Sequence, residues 1–185
     1  MIDDVLSDAN TRMDKSVEAA KHEFTSIRTG RASVALLDRV QVSAYGTTMP
    51  VNQVATISVP EPRLLSITPF DKGTIKDIER AIQESDLGLT PANDGQVIRL
   101  PIPQLTEERR KELVRQVRHM AEEGKVAARN IRRDAIHHLK ELEKDGDVGA
   151  DDIRRAEDRL QKLTDQHTTA IDAALKAKEA EIMEV

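Results

Sequence analysis

The sequence predicts an α+β protein: an elongated antiparallel three-helix bundle with a small α/β domain inserted between its first and second helices. Three observations carry this. Apolar residues recur at helical spacing near both ends of the chain. All seven Pro fall between Pro50 and Pro103. Short runs rich in β-branched residues occupy the same central stretch.

The first helix is expected over about Ile2 to Arg28, where Ile2, Leu6, Ala9, Met13, Val17, Ala20, Phe24 and Ile27 advance in steps of three or four. Asp3 and Asp4 in its first turn and Arg28 near its end suit the helix dipole, and Gly30 is a natural stop. The second helix should open at Thr106, an N-cap followed by two glutamates, and run to Lys144. Its apolar stripe is Leu113, Val117, Met120, Ala127, Ile131, Ala135, Leu139 and Leu142. At 1.5 Å per residue it makes a rod of roughly 60 Å. Asp145 to Gly149 form a turn. The third helix starts near Ala150 and carries Ile153, Ala156, Leu160, Leu163, Ile171, Ala174 and Ile182. Each stripe is narrow and would be wet on a lone helix, so the three should pack as one bundle.

Between them, strands are expected at Val40–Tyr45, Val54–Val59, Leu64–Phe70 and Val97–Ile102, with one amphipathic helix from about Thr74 to Ser85. The domains are therefore 1–30 with 105–185 for the bundle and 31–104 for the insertion. The chain leaves the bundle through Arg28, Thr29, Gly30 and Arg31 and returns through Pro101, Ile102, Pro103, Gln104 and Leu105. Glycine on one connection and prolines on the other suit a two-strand hinge; two fixed linkers are the alternative.

Composition narrows the function. With 38% hydrophobic and 33% charged residues, long solvent-washed helices fit better than a thick globule. Aromatic residues are only 2%, so base stacking on aromatic rings is poorly supplied. Without Cys there is no disulfide, thiolate nucleophile or Cys-based zinc site, which fits a reducing compartment. The N-terminal residues do not read as a signal peptide, and no apolar run approaches the ~20 residues of a bilayer span. A soluble, cytoplasmic monomer without membrane contact is expected. There is no Walker-type loop, nucleophile elbow or zinc motif. Asp71-Lys72-Gly73-Thr74 is better read as a turn opening the small helix. His137 and His138 point about 100° apart on a helix, and His138 with Glu141 is a common pairing on charged helices, so no metal site and no cofactor are expected. No paired acid and base emerges either, and the chain is not expected to be an enzyme.

Charge is unevenly spread. The net charge is −5, yet Arg109 to Lys140 holds ten Lys/Arg against four Asp/Glu. Within it Lys111, Arg115, Arg118, Lys125, Arg129 and Arg132 follow one line along the second helix, offset from the apolar stripe, with Arg133 flanking and Glu122 interrupting. The bland account is a solvated face laced by salt bridges. Arg129 and Arg132, however, have no acid three or four residues away. Aligned, unpaired, Arg-rich side chains favour a polyanion such as RNA, gripped through phosphates and in a salt-sensitive way.

Several motifs resemble the bacterial ribosome recycling factors: Arg28-Thr29-Gly30-Arg31-Ala32, Ser85-Asp86-Leu87-Gly88, Pro103-Gln104-Leu105-Thr106-Glu107-Glu108-Arg109-Arg110, and Ala128-Arg129-Asn130-Ile131-Arg132-Arg133-Asp134. Met13-Asp14-Lys15 and Lys162-Leu163-Thr164-Asp165 agree as well, so the similarity runs in order through the whole chain. The resemblance implies an L-shaped outline. It implies a bundle bound to rRNA of the large ribosomal subunit and, with elongation factor G and GTP, splitting of the post-termination ribosome and its release from mRNA. It also matches Arg129 and Arg132 to rRNA-contacting arginines and places Arg28 and Arg31 in a hinge motif. Two positions depart from the pattern. Val34 replaces a usual Pro, and Gly124 sits mid-helix at a cost of about 1 kcal/mol. The rivals are a coiled-coil scaffold for other proteins, which the apolar stripes alone permit, and a small enzyme using the insertion, for which no constellation appears.

Overall fold

A computed structural model describes residues 1–184. Along the chain lie α1 (Ile2–Thr25), β1 (Gln41–Ala44), β2 (Thr47–Pro50), the single turn α2 (Val51–Val54), β3 (Ala55–Glu61), β4 (Leu64–Pro69), α3 (Ile75–Glu84), β5 (Ala92–Asn93), β6 (Ile98–Pro101), α4 (Glu107–Lys144) and α5 (Ala150–Met183). The chain divides into two compact units, one of Met1–Arg28 with the chain from Thr106 onward, the other Thr29–Leu105.

In the first unit α1, α4 and α5 each pack on the other two. Leu6, Ala9, Met13, Val17, Ala20 and Phe24 of α1 are buried, the expected stripe less its two ends. The helix stops at Thr25, short of the expected Arg28, where Ser26 N and Ile27 N donate to the carbonyls three residues back, Glu23 and Phe24, and tighten the last turn. The start of α4 follows its sequence signal: Thr106 Oγ1 accepts from Arg109 N at 3.1 Å, with Glu107 and Glu108 in the first turn.

The stripe of α4 departs from the expected one in the middle of the helix. The buried residues are Leu113, Val117, Ala121, Ala128, Ile131, Ala135 and Leu139, so Ala121 and Ala128 take the places expected of Met120 and Ala127. Gly124 lies between them. A Cβ there would meet Ala20 Cβ at 3.2 Å and Ile171 Cδ1 at 3.2 Å. Ala121, Gly124 and Ala128 thus form a waist of small residues where α1 and α5 approach α4 closely, which gives the mid-helix glycine its reason.

The core of α5 includes two polar residues, Thr164 and His167, along with Ile153, Ala156, Leu160, Ile171 and Ile182. Thr164 Oγ1 donates to the Leu160 carbonyl at 2.9 Å. His167 lies within hydrogen-bond reach of the Leu163 carbonyl oxygen on its own helix, at 2.6 Å from Nδ1, and of Asp14 Oδ1 on α1, at 2.7 Å from Nε2. Both polar side chains are satisfied, as burial requires.

The second unit carries two antiparallel sheets, β1–β2 and a four-stranded sheet in the order β3–β4–β6–β5. The four expected strands and the expected helix are present. Strands β2 and β5 lie outside the expected set; β5 spans two residues and β2 follows a two-residue turn, too short for a period-2 signal. A separate core gathers Leu37, Val42, Val54, Leu65, Ile67, Ile78, Ile82, Ile98 and Leu100. Ile75, Ile78 and Ile82 supply the buried face of α3, which packs on β1.

Candidate nucleic-acid interface

The basic line on α4 is not uniform once partners are assigned. Four of its cations sit beside carboxylates. Lys111 pairs with Glu107 at 3.1 Å, one turn back on the same helix. Arg118 reaches across to Glu179 of α5 at 2.6 Å, and Lys125 reaches Asp172 of α5 at 3.0 Å and Glu122 at 3.5 Å. Arg129 donates from Nη1 to Glu122 Oε1 at 3.0 Å. The expectation that Arg129 has no acidic partner is therefore corrected: Glu122 lies seven residues back, two helical turns, which an extended arginine spans.

The charges respond accordingly. The Arg129 hydrogen bond holds the Glu122 carboxyl below its ordinary range, with Lys125 adding to the effect. The Asp172 hydrogen bond raises the Lys125 ammonium, and Glu179 raises the Arg118 guanidinium further.

Three cations have no carboxylate beside them among the described residues. Arg132 donates from Nη1 to the amide oxygen of Gln161 on α5, a neutral partner, and its Nε is buried without a partner among the described residues. Arg133 donates to Asn130 Oδ1 at 3.2 Å, again a neutral group. Arg115 is exposed and makes no ion pair with any described residue. Arg118, Lys125 and Arg132 repeat every seven residues and each crosses to α5, so one part of the line also buttresses the bundle. Arg115, Arg129 and Arg133 make no such crossing. Arg110, outside the line, is half-buried and its Nε has no partner among the described residues.

The connections between the units are tied at definite points. Ala32 N donates to the Pro62 carbonyl at 2.7 Å and Ile102 N to the Arg63 carbonyl at 2.8 Å, so one turn holds both chains. Gln104 Oε1, in the amide orientation that satisfies both groups, accepts from Arg63 Nη1 and Nη2 at 2.6 and 3.0 Å. Gly30 has φ +79°, and a Cβ on it would stand 3.4 Å from Leu105 Cγ and 3.6 Å from the Pro103 carbonyl oxygen. Glycine suits both demands. Pro101 is a strand residue, paired with Leu64. Arg28 and Arg31 are exposed; Thr29 and Leu105 are half-buried.

With this geometry in view, the comparisons with known proteins are decisive. The family model of ribosome recycling factor matches residues 20–183. The chain belongs to the ribosome recycling factor family. Recycling factors are translation factors and not enzymes. A recycling factor of Rubrobacter xylanophilus is 62% identical over 180 residues, 97% of each chain. Those of Chloroflexus aurantiacus and Halalkalibacterium halodurans are 55% and 58% identical over the full length of both chains. Among solved structures, a solution structure of a ribosome recycling factor matches with a TM-score of 0.73 at 43% identity, covering 100% of this chain and 98% of that one. A second match, at TM-score 0.62 and 44% identity over the whole of both chains, is a Thermus thermophilus recycling factor described with Escherichia coli elongation factor G on the E. coli post-termination complex. No helix among the described residues is long and apolar enough to cross a membrane.

Proposed function

We propose that this chain binds the post-termination ribosome in the cytoplasm and, with elongation factor G and GTP, promotes its separation into subunits and its release from mRNA. Full-length similarity to recycling factors carries this reading. The bundle (1–30 and 105–185) is the rRNA-binding domain, and the inserted domain (31–104) moves against it. The protein acts as a monomer.

Grip is assigned to the basic line of Lys111, Arg115, Arg118, Lys125, Arg129, Arg132 and Arg133, with unequal shares. Arg115, Arg132 and Arg133 meet no carboxylate among the described residues, so a phosphate approaching them displaces none of those acids. Lys111, Arg118, Lys125 and Arg129 first share their charge with Glu107, Glu179, Asp172 and Glu122. Surface ion pairs are weak, so Lys111, Arg118 and Arg129 still add to the field, whereas Lys125, only 19% exposed and between Asp172 and Glu122, adds least. Contacts to phosphate make binding fall steeply with salt.

Motion is assigned to the two connections. The hinge is assigned to Arg28, Thr29, Gly30 and Arg31 on one side and Pro103, Gln104 and Leu105 on the other, flanking the bonds of Ala32 and Ile102 to the Pro62–Arg63 turn. Pro101 is held in β6 and is left out of the moving set. The deciding experiment is sedimentation of post-termination ribosomes after incubation with the chain, elongation factor G and GTP. Free subunits should accumulate only when all three are present. Intact ribosomes in the complete mixture would refute the proposal.

A further inference from the structure

The hairpin between β1 and β2 is closed by two residues, Tyr45 and Gly46, since Ala44 pairs directly with Thr47. Both have positive φ, 54° and 73°. That is the signature of a type I′ turn, whose first position favours Gly, Asn or Asp: a Cβ crowds the backbone there, and only the short polar side chains of Asn and Asp offset this by local hydrogen bonds. Tyr45 is the only residue other than glycine with positive φ among those described. A strained residue that persists needs something to hold it or a use for it.

Packing does not hold it, because Tyr45 is 70% exposed. One hydrogen bond does. The phenol donates to Asp71 Oδ2 at 2.8 Å, and Asp71 is itself fixed, its Oδ1 accepting from Gly73 N at 2.9 Å. The ring is thus anchored by its tip with its apolar body in water. Phe70, adjacent to Asp71 in the chain, is 69% exposed. The chain has only three aromatic residues. Phe24 is buried in the bundle, and both others face solvent in the inserted unit.

The surroundings select a partner. The Asp71 carboxylate stands at the tip of the ring, 2.8 Å from the hydroxyl, and Asp77 adds to the negative charge that Tyr45 meets. Residues 31–104 hold seven Lys/Arg against eight Asp/Glu, with nothing like the basic line of α4. An aromatic face beside two carboxylates repels phosphate and attracts a lysine or arginine side chain.

We propose that Tyr45, backed by Asp71 and with Phe70 beside it in the chain, is a docking point for a basic protein surface in the ribosomal complex. This rests on the recycling reading for its setting and assigns an interaction separate from that of α4.

The test uses the full chain. Tyr45→Asn places the favoured residue in the turn, so the variant should fold with an equal or higher Tm. It should bind large ribosomal subunits as the wild type does but release subunits at least fivefold more slowly, whereas Tyr45→Phe, keeping the ring, should lose less. Undiminished subunit release by Tyr45→Asn overturns the proposal. A wild type that splits no ribosomes refutes the recycling reading instead, and the two failures are distinct. A benzophenone amino acid at position 45, irradiated in the complete splitting mixture, should yield a protein adduct. An adduct to rRNA, or none, overturns the proposal.

Discussion

Arg129 and Arg132 stand one turn apart on α4 and differ in what they touch. The first bonds a carboxylate, Glu122, and the second an amide, Gln161. Sequence spacing reveals the line but not this difference, because a search at three and four residues misses a partner seven residues back, and Gln161 lies on another helix. Partner chemistry likewise governs Asp94 in the inserted unit. Its carboxylate accepts from Val97 N and Gln96 N and from Arg99, which lowers its pKa to about 2. A depressed folded-state pKa stabilises the fold above the unfolded value, near 4, and that contribution is lost as pH falls toward 2. An NMR titration should therefore show Asp94 still ionised at pH 3, with the Asp94–Arg99 turn loosening below it. A midpoint near the ordinary Asp value contradicts the bonding described.

At the scale of elements, the bundle is legible in the sequence because α1, α4 and α5 each bury a stripe at helical period. What escapes is the seam at mid-α4 and the polar pair on α5. Met120 and Ala127 look as suitable as Ala121 and Ala128, and only close approach of α1 and α5 decides for the smaller set. Thr164 and His167 lie outside the apolar stripe expected for α5, because their burial depends on partners, the Leu160 and Leu163 carbonyls and Asp14, that no single-helix pattern displays. Gly124 tests the seam. By propensity alone, Gly124→Ala should stabilise α4 by about 1 kcal/mol. Approaches of 3.2 Å to both Ala20 and Ile171 oppose it, so the variant should show no gain or a lower Tm by calorimetry. A rise of the size propensity predicts would mean that the waist is looser than described.

For the whole molecule, the main question is how grip and motion divide. The inserted domain and its two connections are visible from proline, glycine and β-branched composition. The pinning of Ala32 and Ile102 is not, since it depends on the Pro62–Arg63 turn brought in by β3 and β4. Gly30→Ala imposes a Cβ on a left-handed residue, at about 1–2 kcal/mol. It should slow subunit release while leaving affinity for ribosomes within twofold, measured by light scattering and filter binding. Equal loss of both would place Gly30 in the grip and not in the motion.

The proposed action of the inserted domain depends on the proposed grip of α4, and the sharpest test of that grip is the salt dependence of binding to isolated large ribosomal subunits. The wild type is compared with a chain carrying Arg115→Ala, Arg132→Ala and Arg133→Ala, with helix content checked by circular dichroism. Removing one cation–phosphate interaction should lower the slope of log K against log salt by about 0.7–0.9. The triple variant should therefore bind at least tenfold more weakly at moderate salt, with a slope shallower by about two and unchanged helix content. Wild-type affinity and an unaltered slope would contradict the assignment of rRNA binding to this face of α4.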